Sequence, residues 1–341
     1  MIDATPGLDL TIVIVSYQTR DMTLACIRSV IEQTIATSYE LIVLDNASTD
    51  GSADAIRHSF PDITLIASQE NLGFARANNI AAVQARGRRL LLLNPDTIVL
   101  DQAIDRLQAF ASAHPTCGIW GGRTVFGDGT LNPYSCWRRA TLWSVLCQGL
   151  GLARFRASPL LNWESYGGWA RDTERQVDIV TGCFFLIDRT LWERCRGFDP
   201  VFFMYGEEAD LCLRARRFGA RPMMTPAATI IHYGHASEPH RAEQRIKVLA
   251  GRISLMQRHD PAVSVELGRM LYKATVLLRI ALFALATLLT SNPKMRSGVQ
   301  AWGQVWQARA RWVNGWTDAA VAAARRVPSI ETASAGHSSQ G

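Results

Sequence analysis

The first hundred residues alternate between short apolar runs and segments of helical periodicity, and this alternation limits the fold more than any other feature of the sequence. The run at 10–16, LTIVIVS, is continuous and β-branched, as in a strand buried on both faces. Further strands are predicted at 40–44, 64–67 and 89–93, and helices at 20–33 and 74–86. This order is typical of βαβ units, so the sequence predicts an α/β domain on a mostly parallel sheet flanked by helices.

The pattern changes after residue 117. The expected elements are a hairpin at 121–131, an irregular aromatic-rich stretch at 132–176, an apolar strand at 177–187, a helix at 207–218 and a strand at 228–231. Beyond residue 240 the chain is almost entirely helical in pattern, and its last residues are small and polar. We therefore divide it into a catalytic domain at 1–240, a helical region at 241–326 and a disordered tail at 327–341.

Polar side chains directly follow three of the predicted strands. They are Ser16 and Tyr17, then Asp45 and Asn46, then Asn94 and Asp96. Open α/β sheets bind ligands at the carboxyl ends of their strands, so these residues are candidates for one site. Turn and helix-cap chemistry explains the small residues around them equally well. It does not explain Asp45, because an acid that ends a buried strand is costly without a partner.

Two further clusters hold titratable groups. Glu207, Glu208 and Asp210 begin a helix, where acids also suit the helix dipole, but three carboxylates within four positions exceed what capping needs. Burial beside apolar residues would raise a carboxyl pKa and suit a general base. His232 ends an apolar strand, where it is either a structural residue or a metal ligand. Asp96 offers the oxygen ligand that a divalent cation on a diphosphate prefers.

Composition narrows the function classes. The net charge of +6 is spread along the chain rather than gathered in one stripe, so we expect no nucleic-acid partner. The seven cysteines never form a CxxC pair, and the first residues show no basic and apolar leader, so we expect a reducing, cytoplasmic location. Motifs of metalloproteases, α/β-hydrolases, P-loop proteins and dinucleotide oxidoreductases are missing from the sequence.

Taken in order, the motifs resemble family 2 glycosyltransferases, and most closely their rhamnosyltransferase-like branch. The resemblance covers about residues 10–240 and rests on VIVSY, DNASTDGS, NLGFARANN, LLLNPDT, TGCFFLIDR, GFDPVFFMYGEEADLCLRARRFG and HYGHAS. It implies a Rossmann-like GT-A fold, a nucleotide-diphosphate sugar donor, Mn²⁺ or Mg²⁺, and inversion at the anomeric carbon.

The same resemblance implies roles for individual residues. The nucleotide-sugar pocket would be formed by Ser16, Tyr17, Asp45, Asn46, Asn71, Gly73, Asn78 and Asn94. Asp96 and His232 would contact the metal. The base of the family falls on Glu208, where that branch usually carries Asp, and the extra methylene moves the carboxylate by about an ångström. Glu207 and Asp210 are therefore alternatives, and Asp210 also suits a role in ordering the acceptor or bracing the helix.

The expected function is transfer of L-rhamnose from dTDP-rhamnose to a lipid-linked or polysaccharide acceptor in cell-surface glycan biosynthesis. The same chemistry with UDP-galactofuranose, UDP-GlcNAc or GDP-mannose is an alternative. A non-catalytic nucleotide-sugar-binding scaffold is another, and a nucleotidyltransferase is a third, although the glycine- and lysine-rich loop of such enzymes is missing from the sequence.

Residues 274–290 form an apolar run of 17 residues that contains Arg279, with basic residues on both sides. About 20 apolar residues span a bilayer, and a central arginine is costly there. We therefore expect this segment to lie in the cytoplasmic face of the membrane, together with Trp302, Trp306, Trp312 and Trp316. A hairpin packed on the catalytic domain, a contact between copies in a homo-oligomer, and a true span are the alternatives.

Overall fold

A computed structural model describes residues 7–234, 241–290 and 292–325. The strands are β1 Leu10–Ser16, β2 Tyr39–Asp45, β3 Thr64–Ala67, β4 Arg89–Leu93, β5 Thr97–Val99, β6 Ile119–Val125, β7 Cys136–Trp137, β8 Arg175–Gln176, β9 Ile179–Val180, β10 Phe184–Asp188 and β11 Met223–His232. The helices are α1 Arg20–Gln33, α2 Ser52–Ser59, α3 Gly73–Val83, α4 Ala103–Ala113, α5 Leu142–Gly149, α6 Arg189–Cys195, α7 Glu207–Arg216, α8 Arg241–His259, α9 Ala262–Thr290, α10 Pro293–Gln307 and α11 Asp318–Arg325. The tail predicted at 327–341 lies outside the described residues, as do the last three residues of the HYGHAS motif.

The main sheet has the order β3-β2-β1-β4-β10-β6-β11-β5, with β8 beside β11. The first four strands in this order are parallel, as the apolar runs predicted, and Ile14 in β1 lies level with Val43 and Leu93. β10 is antiparallel to both β4 and β6, whereas β11 is parallel to β6. The inner strands are buried on both sides, because helices cover both faces of the sheet. This is the expected GT-A fold.

Two predictions between residues 117 and 187 were wrong in detail. The segment 177–187 is not one strand but β9 and β10, separated by a turn at 181–183, and β9 pairs with β7 in a second, two-stranded sheet. The expected hairpin at 121–131 is reduced to one bridge between Val125 and Leu131, because β6 gives most of its pairing to β10 and β11. An apolar run cannot show where a strand changes partners.

The C-terminal helices pack into the same hydrophobic core as the residues before position 240. One apolar cluster contains Val13 of β1 and Phe203, and also Ile253 of α8 and Trp312. α8 lies so close to the loop before α7 that a Cβ on Gly251 would overlap the carbonyl of Tyr205. The division at residue 240 therefore marks a change of secondary structure within one continuous core.

Candidate active site

Asp45 ends β2 with only 2% of its surface exposed. Its Oδ2 accepts a hydrogen bond from the backbone N–H of Ser48 at 3.1 Å, and its buried Oδ1 has no partner among the described residues. Burial raises the pKa of the Asp45 carboxyl, and the hydrogen bonds from Ser48 only partly oppose this. An orphaned buried oxygen is costly, so the position is suited to a ligand that donates a hydrogen bond.

Next to Asp45, an asparagine pair shapes the loop between β3 and α3. The side-chain oxygen of Asn46 accepts from the backbone N–H of Leu72 at 2.8 Å, and its Nδ2 donates to Oδ1 of Asn71 at 3.1 Å. The same Asn71 oxygen accepts from the backbone N–H of Gly73 at 2.9 Å. Asn46, Asn71 and Gly73 thus form one hydrogen-bonded unit at the carboxyl end of β2.

Gly73 joins this unit to the loop that precedes the acidic helix α7. Its φ is +76°, and a Cβ would overlap the carbonyl oxygen and the ring of Phe203. The next residue, Phe74, donates its backbone N–H to that same carbonyl oxygen at 2.8 Å. One turn further on, the side chain of the buried Asn78 donates to the carbonyl of Phe74 at 2.9 Å. This hydrogen bond lies within α3 and stabilises its first turn.

Asp96 and His232 meet beyond the ends of β4 and β11. Nε2 of His232 lies 3.4 Å from Oδ1 of Asp96 and 3.4 Å from the side-chain nitrogen of Asn94. Burial favours neutral forms of both partners, but their mutual interaction lowers the pKa of Asp96. For His232, Cys183 and Asp96 together outweigh burial and raise the pKa to about 11.

A carboxylate oxygen and an imidazole nitrogen at this separation are close enough to share one divalent cation, and Mn²⁺ accepts both ligand types. Such a cation would have to displace the proton that Cys183 and Asp96 stabilise on His232. Over the described ranges, no cluster of three or more histidine, cysteine or acidic residues is placed to hold a metal ion. The described part of the protein could thus contribute Asp96 and His232 as two of the ligands of a cation.

The turn at 181–183 connects this pair with α7. The carbonyl of Cys183 accepts from the backbone N–H of Asn94 at 3.1 Å. A Cβ on Gly182 would lie 3.5 Å from the Phe74 ring and 3.8 Å from the Cβ of Glu208. Asn94 and Glu208 thus both lie beside the same short turn. The sequence contained this turn within the TGCFFLIDR motif, but nothing in its pattern assigned it that position.

The three acids at the start of α7 have different surroundings. Glu207 is 4% exposed, and its Oε2 has no partner among the described residues. Burial and the neighbouring Glu208 raise the pKa of Glu207 well above its ordinary value. Glu208 is only half-buried, and its Oε2 accepts from the backbone N–H of Gly206 at 3.2 Å. Burial raises the pKa of Glu208, opposed by backbone N–H groups at the helix start.

Both carboxylate oxygens of Asp210 have partners within the protein. It accepts from Nε of Arg214 at 2.7 Å, and its Oδ1 lies 2.8 Å from Nε2 of His259 in α8. Arg214 also donates to the carbonyls of Cys195 and Gly197. Because both carboxylate oxygens are used internally, the geometry favours the bracing role for Asp210 that the sequence had left open. No sequence pattern indicated His259 as the partner of Asp210.

The two residues at the end of β1 differ from each other. Ser16 is fully buried, and its hydroxyl lies 2.9 Å from that of Thr23 and 3.4 Å from that of Thr19. Its side chain therefore stabilises the start of α1. Tyr17 is half-buried at the same sheet edge, level with Asn46, whose backbone N–H donates to the carbonyl of Ser16 at 2.8 Å.

A family model described as glycosyl transferase family 2 matches residues 11–194, more than half of the chain. The chain belongs to this family. The match ends before α7, so the family assignment rests on the residues around β1, β2, β4 and β10. Glu207, Glu208, Asp210 and His232 lie beyond it.

Curated relatives share modest identity with this family member. It is 26% identical over 206 residues to an N-acetylglucosaminyl-diphospho-decaprenol L-rhamnosyltransferase of Mycobacterium tuberculosis, a match that covers 57% of the chain and 66% of that relative. It is 44% identical over 59 residues to the Escherichia coli rhamnosyltransferase WbbL, covering 17% of the chain and 22% of WbbL. The chain is thus rhamnosyltransferase-like.

Two solved structures share the fold. A Pyrobaculum calidifontis mannosyltransferase, solved with GDP-Man and Mn²⁺, superimposes with a TM-score of 0.55 at 18% identity, covering 90% of the chain and 87% of the other. GalNAc-T7, solved with UDP, GalNAc and Mn²⁺, gives 0.52 at 16% identity, covering 74% of the chain and 48% of the other. These likenesses establish the GT-A fold.

Proposed function

We propose that this chain is a metal-dependent, inverting glycosyltransferase that transfers L-rhamnose from dTDP-rhamnose to a lipid-linked saccharide. The observation that carries the proposal is the Asp96–His232 pair, because its neighbour Asn94 and the acid Glu208 both contact the turn at 181–183. The mycobacterial relative is an L-rhamnosyltransferase for a decaprenol-linked sugar, which supports the choice of rhamnose and of a lipid-linked acceptor.

The nucleotide end of the donor would bind at the carboxyl ends of β1 and β2. Asp45 supplies an acceptor whose Oδ1 is unused, suited to a donor group on the base or ribose. Tyr17 lies at the same edge, and the Asn46–Asn71–Gly73 unit would form a further part of the pocket wall. Asn78 would not contact the donor and would contribute to the pocket only by stabilising α3.

The diphosphate would lie at the ends of β4 and β11. Asp96 and His232 would hold Mn²⁺ or Mg²⁺, which neutralises the charge that builds up on the leaving diphosphate. The side-chain amide of Asn94 lies next to His232, with 3.4 Å between the two nitrogens. The buried Asp96 is held by its backbone as well, since its carbonyl accepts from the N–H of Tyr233 at 3.0 Å.

Glu208 is the acid best placed to remove the acceptor proton. It is half-buried beside Gly182, whereas Glu207 is buried and Asp210 is paired with Arg214 and His259. The raised pKa of Glu208 strengthens it as a base. One base, with no nucleophile assigned behind the sugar, fits a single displacement in which the acceptor oxygen attacks the anomeric carbon and the nucleoside diphosphate leaves from the opposite face.

The test is turnover of a panel of donors, namely dTDP-rhamnose, UDP-galactofuranose, UDP-GlcNAc and GDP-mannose, with Mn²⁺ or Mg²⁺ and polyprenyl-diphosphate sugars as acceptors. We expect release of dTDP from dTDP-rhamnose, and a decrease in kcat of about 10²–10⁴-fold in Glu208→Gln. Glu193→Gln, at an exposed helical acid, is the control and should retain activity. Asp96→Ala should abolish the metal dependence of nucleotide binding.

Turnover with another donor would replace rhamnose with that sugar and leave the chemistry in place. Donor binding without turnover with any acceptor would instead favour a binding scaffold. Unchanged kcat in Glu208→Gln would remove this residue as the base, and Glu207→Gln would then be the next variant to measure.

A further inference from the structure

The long helix α9 exposes an apolar stripe along its outer face. Exposed residues recur every three or four positions at Leu267, Met270, Ala274, Leu277, Ala281 and Leu285. This spacing keeps the stripe on one side of the helix over about 27 Å. α9 is also the one helix in the described part of the chain that is long and apolar enough to cross a membrane by length and composition.

The shorter helix α5 lies alongside α9 and is apolar on its exposed face as well. Nη2 of Arg279 donates to the carbonyl of Gln148 at 2.9 Å, and a Cβ on Gly149 would overlap Thr275, so the two helices are in close contact. α5 exposes Trp143 and Leu146, and Leu150 and Phe155 follow it on the surface. We call the exposed apolar residues of α5, its following loop and α9 the α5–α9 face.

The chain segments that form this face have an excess of basic residues. Residues 267–317 contain seven basic residues and no acidic one, and residues 129–163 contain four basic residues and no acidic one. Arg154 and Arg156 are exposed on either side of Phe155. Glu266, the acid nearest to the stripe on α9, is paired with Arg269. An apolar surface edged by basic groups is complementary to an anionic lipid headgroup region.

The contacts of α9 argue against a spanning arrangement. Tyr272 and Val276 are buried, and Arg252 of α8 lies 3.4 Å from the hydroxyl of Tyr272. Arg252 in turn forms a buried ion pair with Glu164 at 2.8 Å. A bilayer crossing would separate these groups, whereas a helix lying on the surface keeps all of them.

We propose that the α5–α9 face docks on an anionic bilayer, with α9 lying parallel to the membrane surface. A second copy of the chain is the weaker occupant, because two such faces would bring like charges together. The face differs from the one expected from sequence: Trp312 and Trp316 are buried in the core and do not belong to it, while α5 and the first half of α9 do. The proposal stands on this surface alone and does not rest on the sugar donor.

The test is flotation of the full chain with vesicles of phosphatidylcholine alone or with about a third of phosphatidylglycerol, without substrate. We expect binding to the anionic vesicles only, weakened by salt. Leu277→Gln with Leu285→Gln should lower the partition coefficient at least about tenfold. Ile35→Gln with Val83→Gln, which removes two apolar residues that are 72% and 85% exposed elsewhere, is the matched control. It should leave the partition coefficient unchanged.

Arg154→Gln with Arg156→Gln should reduce binding about fivefold per residue, which corresponds to about 1 kcal/mol each. Equal binding to neutral and anionic vesicles, or binding that the α9 pair leaves intact, would overturn the proposal. So would resistance to carbonate extraction from membranes, which indicates a span. A dimer in solution that the leucine pair dissociates would assign the face to a second copy instead.

Discussion

Asp210→Asn tests whether the third acid of α7 acts in catalysis or holds the helix in place. The substitution keeps the shape of the side chain and removes its charge. In the protein, that charge lies between Nε of Arg214 at 2.7 Å and Nε2 of His259 at 2.8 Å, with the Asp210 side chain 1% exposed. His259 belongs to α8, so the same pair also holds α8 against α7.

The expected cost is large because the lost partner is buried. Removing one member of a buried ion pair costs about 3–5 kcal/mol, since it leaves the other charge without compensation. Arg214 keeps the carbonyls of Cys195 and Gly197 as acceptors, which places the expected loss near the lower end of that range. Asp54→Asn is the control: its ion pair with Arg57 is fully at the surface, so the free energy of unfolding should change by less than about 1 kcal/mol.

The pH dependence follows from the direction of the shift. Burial by itself raises the pKa of Asp210, but His259 and Arg214 outweigh burial and hold this pKa below its ordinary value. A carboxyl group whose pKa is lower in the folded than in the unfolded protein stabilises the fold above the unfolded pKa, about 3.9. That stability is lost as pH falls through the folded pKa, so the difference between wild type and Asp210→Asn should shrink below about pH 4.

The measurement is urea unfolding of wild type and variant at pH 7 and at lower pH values. In addition, kcat and KM are measured at pH 7 without urea. We expect a large shift of the unfolding midpoint and a kcat that changes far less than in Glu208→Gln. An unchanged midpoint combined with a 10²–10⁴-fold loss of kcat would refute the bracing role and make Asp210 the general base.

Two further predictions concern the loop before α3 and the C-terminal helices. Gly73→Ala should destabilise the protein and raise the KM for the donor, because a Cβ at this position overlaps Phe203. Gly51→Ala is the control: its φ of +79° is similar, but no atom lies within 4 Å of the added Cβ, so the substitution should cost only about 1 kcal/mol in unfolding free energy. Equal effects at the two glycines would contradict the role of Phe203. A chain ending at residue 261 loses the buried Tyr272 and Trp312, so it should be insoluble, and a soluble, cooperatively unfolding product would show that the C-terminal helices are not part of the core.

Local sequence pattern is sufficient to predict the parallel half of the sheet and the acids at its edge. The runs at 10–16 and 89–93 are strands with these bounds, Asp45 is the last residue of β2, and Asp96 follows β4. Local periodicity is enough here, because a strand that is buried on both faces must be apolar at every position, and the carboxyl ends of parallel strands necessarily share one edge.

Contacts between residues that are far apart in the sequence could be identified only from the tertiary structure. It divided the run at 177–187 into β9 and β10 and placed the intervening turn between Asn94 and Glu208. It also supplied His259 as the partner of Asp210 and buried Trp312, while it left the outer face of α9 uncovered. Apolar periodicity records that a side chain is covered but not by which element, and a charge pattern does not identify a partner 49 residues away.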